Sequence, residues 1–254
     1  KQVLQGREAL LWIPDILGNC QDTLKKIEGM QENSRDVLED RLVSEIVLKL
    51  RKGINDNGQA SLGVSGGSTP VNLFKKLSKT EIQWNKIFIF PVDDRVLPDN
   101  HPDQNGTLIK QNLLINKAKH ATFIPLIYFS NDSKINLLKA QTILDSIDRP
   151  FDVLILGMGT DGHTASLFPN SEGIKNGMDI NNNELLVEIK PTLAPYTRIS
   201  LTRSTIEQSK NIYLHIYGNE KKMVYDKAKS SDNHELYPIS AFMNMPNFNL
   251  YWTE

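Results

Sequence analysis

The chain has 254 residues, 39% hydrophobic and 23% charged, with a formal net charge of −1. That length supports a single domain, 1–254, whose core needs no covalent staples, and the near-zero charge argues against a nucleic-acid or membrane surface. One cysteine, Cys20, excludes an intrachain disulfide and fits a reducing, cytoplasmic setting, and no apolar run is long enough to span a bilayer.

The chain begins at Lys1 with no charged-then-apolar leader pattern, so its start reads as trimmed or processed. Residues Lys1–Asn33 yield no clear assignment. From Ser34 to Ile54, apolar residues recur at Leu38, Leu42, Ile46, Leu50 and Ile54, which predicts an amphipathic helix ended by the turn residues of "NDNG". "ASLGVSGGSTP" reads as a strand entering a glycine turn, with Thr69-Pro70 opening a helix through Leu77. A strand follows over Lys86–Val92, then a polar loop from Asp93 to Gly106. Next come a helical stretch around Leu108–Leu114, a strand near Thr122–Ile127 and a helix from Ser133 to Ile147.

"FDVLILGMG" is apolar throughout, as expected of a strand buried on both faces. Asn170–Glu184 reads as a mobile polar loop. "LLVEIK", "TRISLT" and "NIYLHIYG" are further strands, and a helix over Glu220–Lys229 and the strand "NLYWT" close the chain. Alternating strands and helices predict an α/β fold with a mostly parallel central sheet and helices on both faces, Rossmann-like in outline. Ligands of such sheets sit at the carboxyl ends of the strands. The loops there are "SGGSTP", "DDRVLP", "GMGTDGH" and "YGNEKK".

Gly157, Gly159 and Gly162 have the spacing of a dinucleotide fingerprint. The context fails, because Pro169 leaves room only for a short helix and Asp179 lies in a polar loop rather than at the end of a second strand. Ser65–Pro70 offers consecutive backbone N–H groups, three hydroxyls and a helix start. These suit a phosphate or an oxyanion, although a plain strand-to-helix turn needs the same glycines. His163 has the chemistry of a general base near neutral pH, beside the alternative of a packing or capping histidine. Asp161 either orients it or binds backbone in the turn. Arg95 can fork onto a phosphate or pair with Asp93 and Asp94, and Arg198 and Lys221 are either ligands or surface charges.

Together these loops resemble the 6-phosphogluconolactonase family. The resemblance rests on "LGVSGGSTP", on "DDRVLP" with Asp103 and Asn105 downstream, on "LGMGTDGHTASLFP", on "RISLT" and on "GNEKK", in the family's order. It implies a fold similar to glucosamine-6-phosphate deaminases and ribose-5-phosphate isomerases. It also implies hydrolysis of 6-phospho-D-glucono-1,5-lactone in the oxidative pentose phosphate pathway, with no cofactor and no metal. By that resemblance His163 activates water. Arg95, Arg198 and Lys221 bind the phosphate or substrate, and Ser65, Gly66, Gly67 and Thr69 form the glycine turn of the pocket. The expected partner is the small sugar-phosphate lactone alone, bound by a monomer or small homo-oligomer.

Two positions depart from the family. It usually reads Asp-Glu-Arg at Asp93-Asp94-Arg95, and it carries Asp-Ser-Asn plus an aromatic at Asp103-Gln104-Asn105-Gly106. The shorter Asp94 argues against direct catalytic contact, and Gly106 is expected to loosen the wall of its loop. The rivals are a sugar-phosphate deaminase or isomerase of the same fold and a non-catalytic sugar-phosphate sensor. Deaminases resembling this chain place a glutamate five residues after the histidine, where this sequence has Phe168.

Overall fold

The computed structural model describes residues 30–31, 35–128, 132–231 and 233–254. Cys20 and most of Lys1–Asn33 lie outside them. The predicted first helix is α1 (Arg35–Asn57), which buries Leu38, Leu42, Ile46, Leu50 and Ile54 along one stripe. Two wholly buried strands form the centre of the molecule, β2 (Ala60–Val64) and β6 (Val153–Leu156). Around them a seven-stranded parallel sheet has the order β1 (Met30–Gln31), β10 (Phe248–Thr253), β9 (Ile212–Tyr217), β6, β2, β3 (Ile87–Pro91) and β5 (Thr122–Phe123). Helices α1, α2 (Val71–Leu77) and α3 (Asn105–Asn112) help build one apolar core. The other takes in α4 (Ser133–Leu144), α5 (Ile174–Met178), α6 (Arg203–Glu207) and α7 (Asn219–Lys229), which covers both faces of the sheet as expected.

The chain runs from β2 outward through β3 to β5, and from β6 the opposite way through β9 to β10. The seam between β2 and β6 is therefore a topological switch point, where successive loops diverge and leave a crevice. The glycine turn follows β2 and the His163 loop follows β6, so both open onto that crevice.

Several sequence expectations need correction. Asp93–Gly106 is not all loop: Asp93–Arg95 forms β4 and Asn105 starts α3. With β7 (Leu186–Ile189) and β8 (Arg198–Leu201), β4 makes a separate antiparallel sheet of order β4-β8-β7. No short helix follows Gly157–His163. Ala165 has φ +49°, which breaks helical continuity, and Thr164 bridges Leu167 instead. Asn170–Glu184 contains α5, anchored because Ile174 and Met178 are buried. The strand predicted over Thr122–Ile127 pairs only at Thr122 and Phe123, and Pro125 beyond has no N–H for a ladder.

Candidate active site

A cavity of about 280 Å³ opens at the switch point. Its lining includes Ser65, Gly66, Gly67, Thr69, Arg95, His163, Arg198 and Lys221, so eight of the nine residues singled out from sequence meet around one space. The ninth, Asp161, reaches it through His163.

The His163 loop is a stapled turn. Gly159 N–H donates to the His163 carbonyl (3.0 Å), and the Thr164 hydroxyl donates to the Gly157 carbonyl (2.8 Å). Gly162 has φ +81°, a conformation few side chains tolerate. The turn places Asp161 Oδ1 2.5 Å from His163 Nδ1 and 3.2 Å from the His163 backbone N–H, so Asp161 both orients the ring and binds backbone. Burial opposes the Asp161 charge, but the hydrogen bonds and charge of His163 outweigh it and hold the carboxyl below its usual range. The carboxylate thus accepts Nδ1–H and leaves Nε2 as the basic nitrogen. Phe168 stacks on the imidazole, centroids 3.9 Å apart.

The second sheet supplies two of the three cations. Arg95 and Arg198 are register partners across β4 and β8. Arg95 Nη1 donates to the Asp103 carbonyl (2.5 Å) instead of pairing with its neighbouring aspartates. Arg198 is 6% exposed, and its guanidinium carbon lies 5.0 Å from the Phe168 ring centre. Burial, with Arg95 adding, pulls Arg198 below the usual guanidinium value, and Asp93 and Asp94 oppose that shift. Lys221 sits in the first turn of α7, where burial lowers its ammonium against the opposing charge of Glu220.

Asn105 locks the glycine turn. Its Nδ2 donates to the Asp93 carbonyl (2.7 Å), and a Cβ on Gly66 would lie 1.8 Å from its Oδ1. Only glycine fits there. Gly67, at φ +85°, then bends the backbone into α2. Asp93 accepts from the Ser166 hydroxyl (2.5 Å), tying the His163 loop to β4.

Asp94 is directed away from the cavity and caps the start of α3. It accepts from the backbone N–H groups of Asn105 (2.7 Å), Gly106 (2.8 Å) and Arg95 (2.8 Å). Burial raises its carboxyl to about 7 against those hydrogen bonds. That agrees with the expectation of no direct catalytic contact. Gly106, by contrast, does not loosen its wall. It is buried, and a Cβ there would stand 3.1 Å from Asp94 Oδ2, so the missing side chain lets the carboxylate close on the helix.

Sequence reasoning missed His215, which also lines the cavity and is 1% exposed. The signal was available: in "YLHIY" the residues Tyr213, His215 and Tyr217 share one face of β9, and a histidine there, one residue pair from the strand's carboxyl end, lies near the crevice. Among the described residues six buried side-chain polar atoms have no hydrogen-bond partner, and four belong to this lining: Arg95 Nε, Arg198 Nε, Asn105 Oδ1 and His215 Nδ1. Unpaired buried polar atoms cost stability, and four of them in residues that line one cavity set it apart as the candidate site. No group of three or more His, Cys, Asp or Glu suited to hold a metal ion occurs among the described residues.

Residues 33–252 match the family model described as glucosamine-6-phosphate isomerases/6-phosphogluconolactonase. The chain is 35% identical over 214 residues to a 6-phosphogluconolactonase of Neisseria meningitidis, covering 83% of this chain and 91% of that one. It is 33% identical to a 6-phosphogluconolactonase of Rhizobium meliloti, covering 85% and 94%. A crystal structure of a 6-phosphogluconolactonase from Shewanella baltica superimposes with a TM-score of 0.85 at 36% identity, covering 88% of this chain and 96% of that one. The chain belongs to the glucosamine-6-phosphate isomerase/6-phosphogluconolactonase family.

Proposed function

We propose that this chain is an enzyme that hydrolyses 6-phospho-D-glucono-1,5-lactone to 6-phosphogluconate, with His163 as the general base. The observation that carries the assignment is the Asp161–His163 pair, 2.5 Å apart, beside a cavity that also holds Arg95, Arg198 and Lys221. The matched lactonases of similar length support the substrate class.

His163 Nε2 takes a proton from water as the water oxygen bonds to the lactone carbonyl carbon. Negative charge gathers on the carbonyl oxygen, where backbone N–H groups of the glycine turn or a guanidinium stabilise it. The intermediate collapses by breaking the bond to the ring oxygen, which receives the proton back from His163. The products are a free hydroxyl and a carboxylic acid, which releases its proton to solvent to become the carboxylate, and no cofactor enters the balance. Asp161 keeps the imidazole in the tautomer this requires and steadies its transient charge. Arg198, Arg95 and Lys221 hold the phosphate and the developing anion.

Deamination is disfavoured by Phe168. Its apolar ring covers one face of His163, where the deaminases compared on sequence carry a glutamate nearby. A sensor would keep the cations but has no need of the oriented Asp161–His163 pair. The test is a lactonase assay on freshly generated lactone with the spontaneous rate subtracted. Hydrolysis no faster than that background would remove the assignment.

A further inference from the structure

The cavity is rich in donors: three cations and the N–H groups of the glycine turn. A sugar ring also carries hydroxyl hydrogens, which need acceptors. His215 is such an acceptor, and its state is set from behind. Its Nε2 bonds to the Tyr217 hydroxyl, and that hydroxyl donates to Glu39 Oε1 at 2.7 Å. Glu39 is held as an acceptor by Arg35 Nε (3.2 Å), by Asn72 Nδ2 and by Lys76 Nζ (3.9 Å). Because Tyr217 gives its hydrogen to the carboxylate, its oxygen must accept from His215. The histidine hydrogen therefore sits on Nε2, and Nδ1 carries a lone pair. That Nδ1 has no partner among the described residues and almost no exposed surface, and because His215 lines the cavity a ligand donor reaches it once the neighbouring lining shifts on binding.

We propose that His215, locked in one tautomer by Tyr217 and Glu39, accepts a hydrogen bond at Nδ1 from a ring hydroxyl of the bound sugar lactone and so reads the sugar's configuration. This rests on the lactonase assignment and adds a specificity-determining contact to it. Burial, then the charges of Arg35 and Lys221, keep the ring neutral by lowering it to about 3, so His215 neither attracts the phosphate as a cation nor competes with His163 as a base at neutral pH. The same relay reaches the glycine turn, because Arg35 Nη2 donates to the Thr69 carbonyl at 3.0 Å while its guanidinium carbon lies 3.9 Å from the Tyr217 ring centre. His215 and the anion loop are thus positioned by one residue of α1.

The test uses a stable ring probe, 1,5-anhydroglucitol 6-phosphate, and its 2-, 3- and 4-deoxy forms, with Kd measured by calorimetry for wild type and His215→Phe. His215→Phe is expected to raise Kd for the parent probe about 10- to 100-fold, as for an unsatisfied hydroxyl, and to raise KM for the lactone similarly while kcat stays within about 3-fold. One deoxy probe should lose the same factor with wild type and nothing further with the variant, and His215→Asn, which keeps an acceptor near Nδ1, should recover much of the loss. An unchanged Kd in folded His215→Phe, or a loss that no deoxy probe cancels, overturns the proposal. Should Phe at 215 prevent folding, wild-type chain labelled with ¹⁵N-histidine decides. His215 Nδ1 must appear unprotonated and shift when the probe saturates, and a protonated or unmoved Nδ1 overturns the idea. Wild-type hydrolysis at only the spontaneous rate would instead remove the lactonase assignment beneath it.

Discussion

The imidazole of His163 and the ring of Phe168 lie stacked, centroids 3.9 Å apart and 28° between planes. The same phenyl ring faces Arg198 at 5.0 Å. One buried aromatic side chain therefore seats both the proposed base and a proposed anion ligand. Phe168→Leu should keep the fold, lower stability by about 1–2 kcal/mol and change kcat and KM together, each several-fold. Steady-state kinetics with a thermal melt would check this. A variant with both constants unchanged would show that the stack organises nothing.

Removing the proposed base should act on turnover. His163→Ala is expected to cut kcat about 10²- to 10⁴-fold with little change in KM. Asp161→Asn should lose about 10²-fold, since an amide cannot enforce the Nδ1–H tautomer in the same way. Normal turnover in His163→Ala, after subtracting the spontaneous reaction, would exclude the base assignment.

The cations should act on binding. Lys221→Ala and Arg198→Ala are expected to raise KM for the phosphorylated lactone about 10-fold or more, with Arg198→Ala also lowering kcat through the loosened Phe168 stack. Both effects should shrink on an unphosphorylated lactone. A loss of equal size on both substrates would place these residues elsewhere than at the phosphate.

Gly66 and Asn105 form a two-part lock. Gly66→Ala would drive a Cβ into Asn105 Oδ1, and the strain should cost about 1–3 kcal/mol and weaken phosphate binding. Adding Asn105→Ala should restore part of the stability, because it removes the clash. Denaturant unfolding of the single and double variants would show the coupling as non-additivity. Additive losses would mean the turn yields elsewhere.

Buried His215 gives stability a pH signature. Its folded value is lowered to about 3, whereas an unfolded histidine titrates near 6.5. Between those limits the unfolded chain holds the extra proton, so this contribution rises with pH. It is fully present above about pH 6.5 and is lost progressively as pH falls toward 3, a few kcal/mol in all. Asp94, raised to about 7, tilts the curve the opposite way over part of that range. The measurement is therefore the difference between wild type and His215→Phe in urea at pH 7 and pH 5. The gap should shift in the variant's favour at pH 5, and a pH-independent gap would exclude the effect.

Much of this was legible in the sequence, and for identifiable reasons. The α1 stripe and the wholly apolar β6 announce burial through local pattern alone, and the glycines announce the loops. Eight nominated residues converge because strand-end loops of a parallel sheet share one edge. The antiparallel β4-β8-β7 sheet was not legible, since Asp93–Arg95 is polar and gains its strand geometry only by pairing with β8. The α5 turn hid within a polar run because two buried residues, Ile174 and Met178, fix it. His215 was overlooked because the local pattern in "YLHIY" gains meaning only through Glu39, 176 positions away, which the Tyr217 hydroxyl reaches in the fold.

The pairing of Asp94 with Gly106 has a consequence for how this chain can vary. The carboxylate sits 2.8 Å from the Gly106 nitrogen, and a methyl group at 106 would crowd it at 3.1 Å. The two sites are therefore sterically coupled. A longer acid at 94 or a side chain at 106, introduced alone, meets a neighbour shaped for something else. Asp94→Glu or Gly106→Ala, made alone, should therefore give a less stable protein than wild type in denaturant unfolding, because each meets a neighbour it crowds.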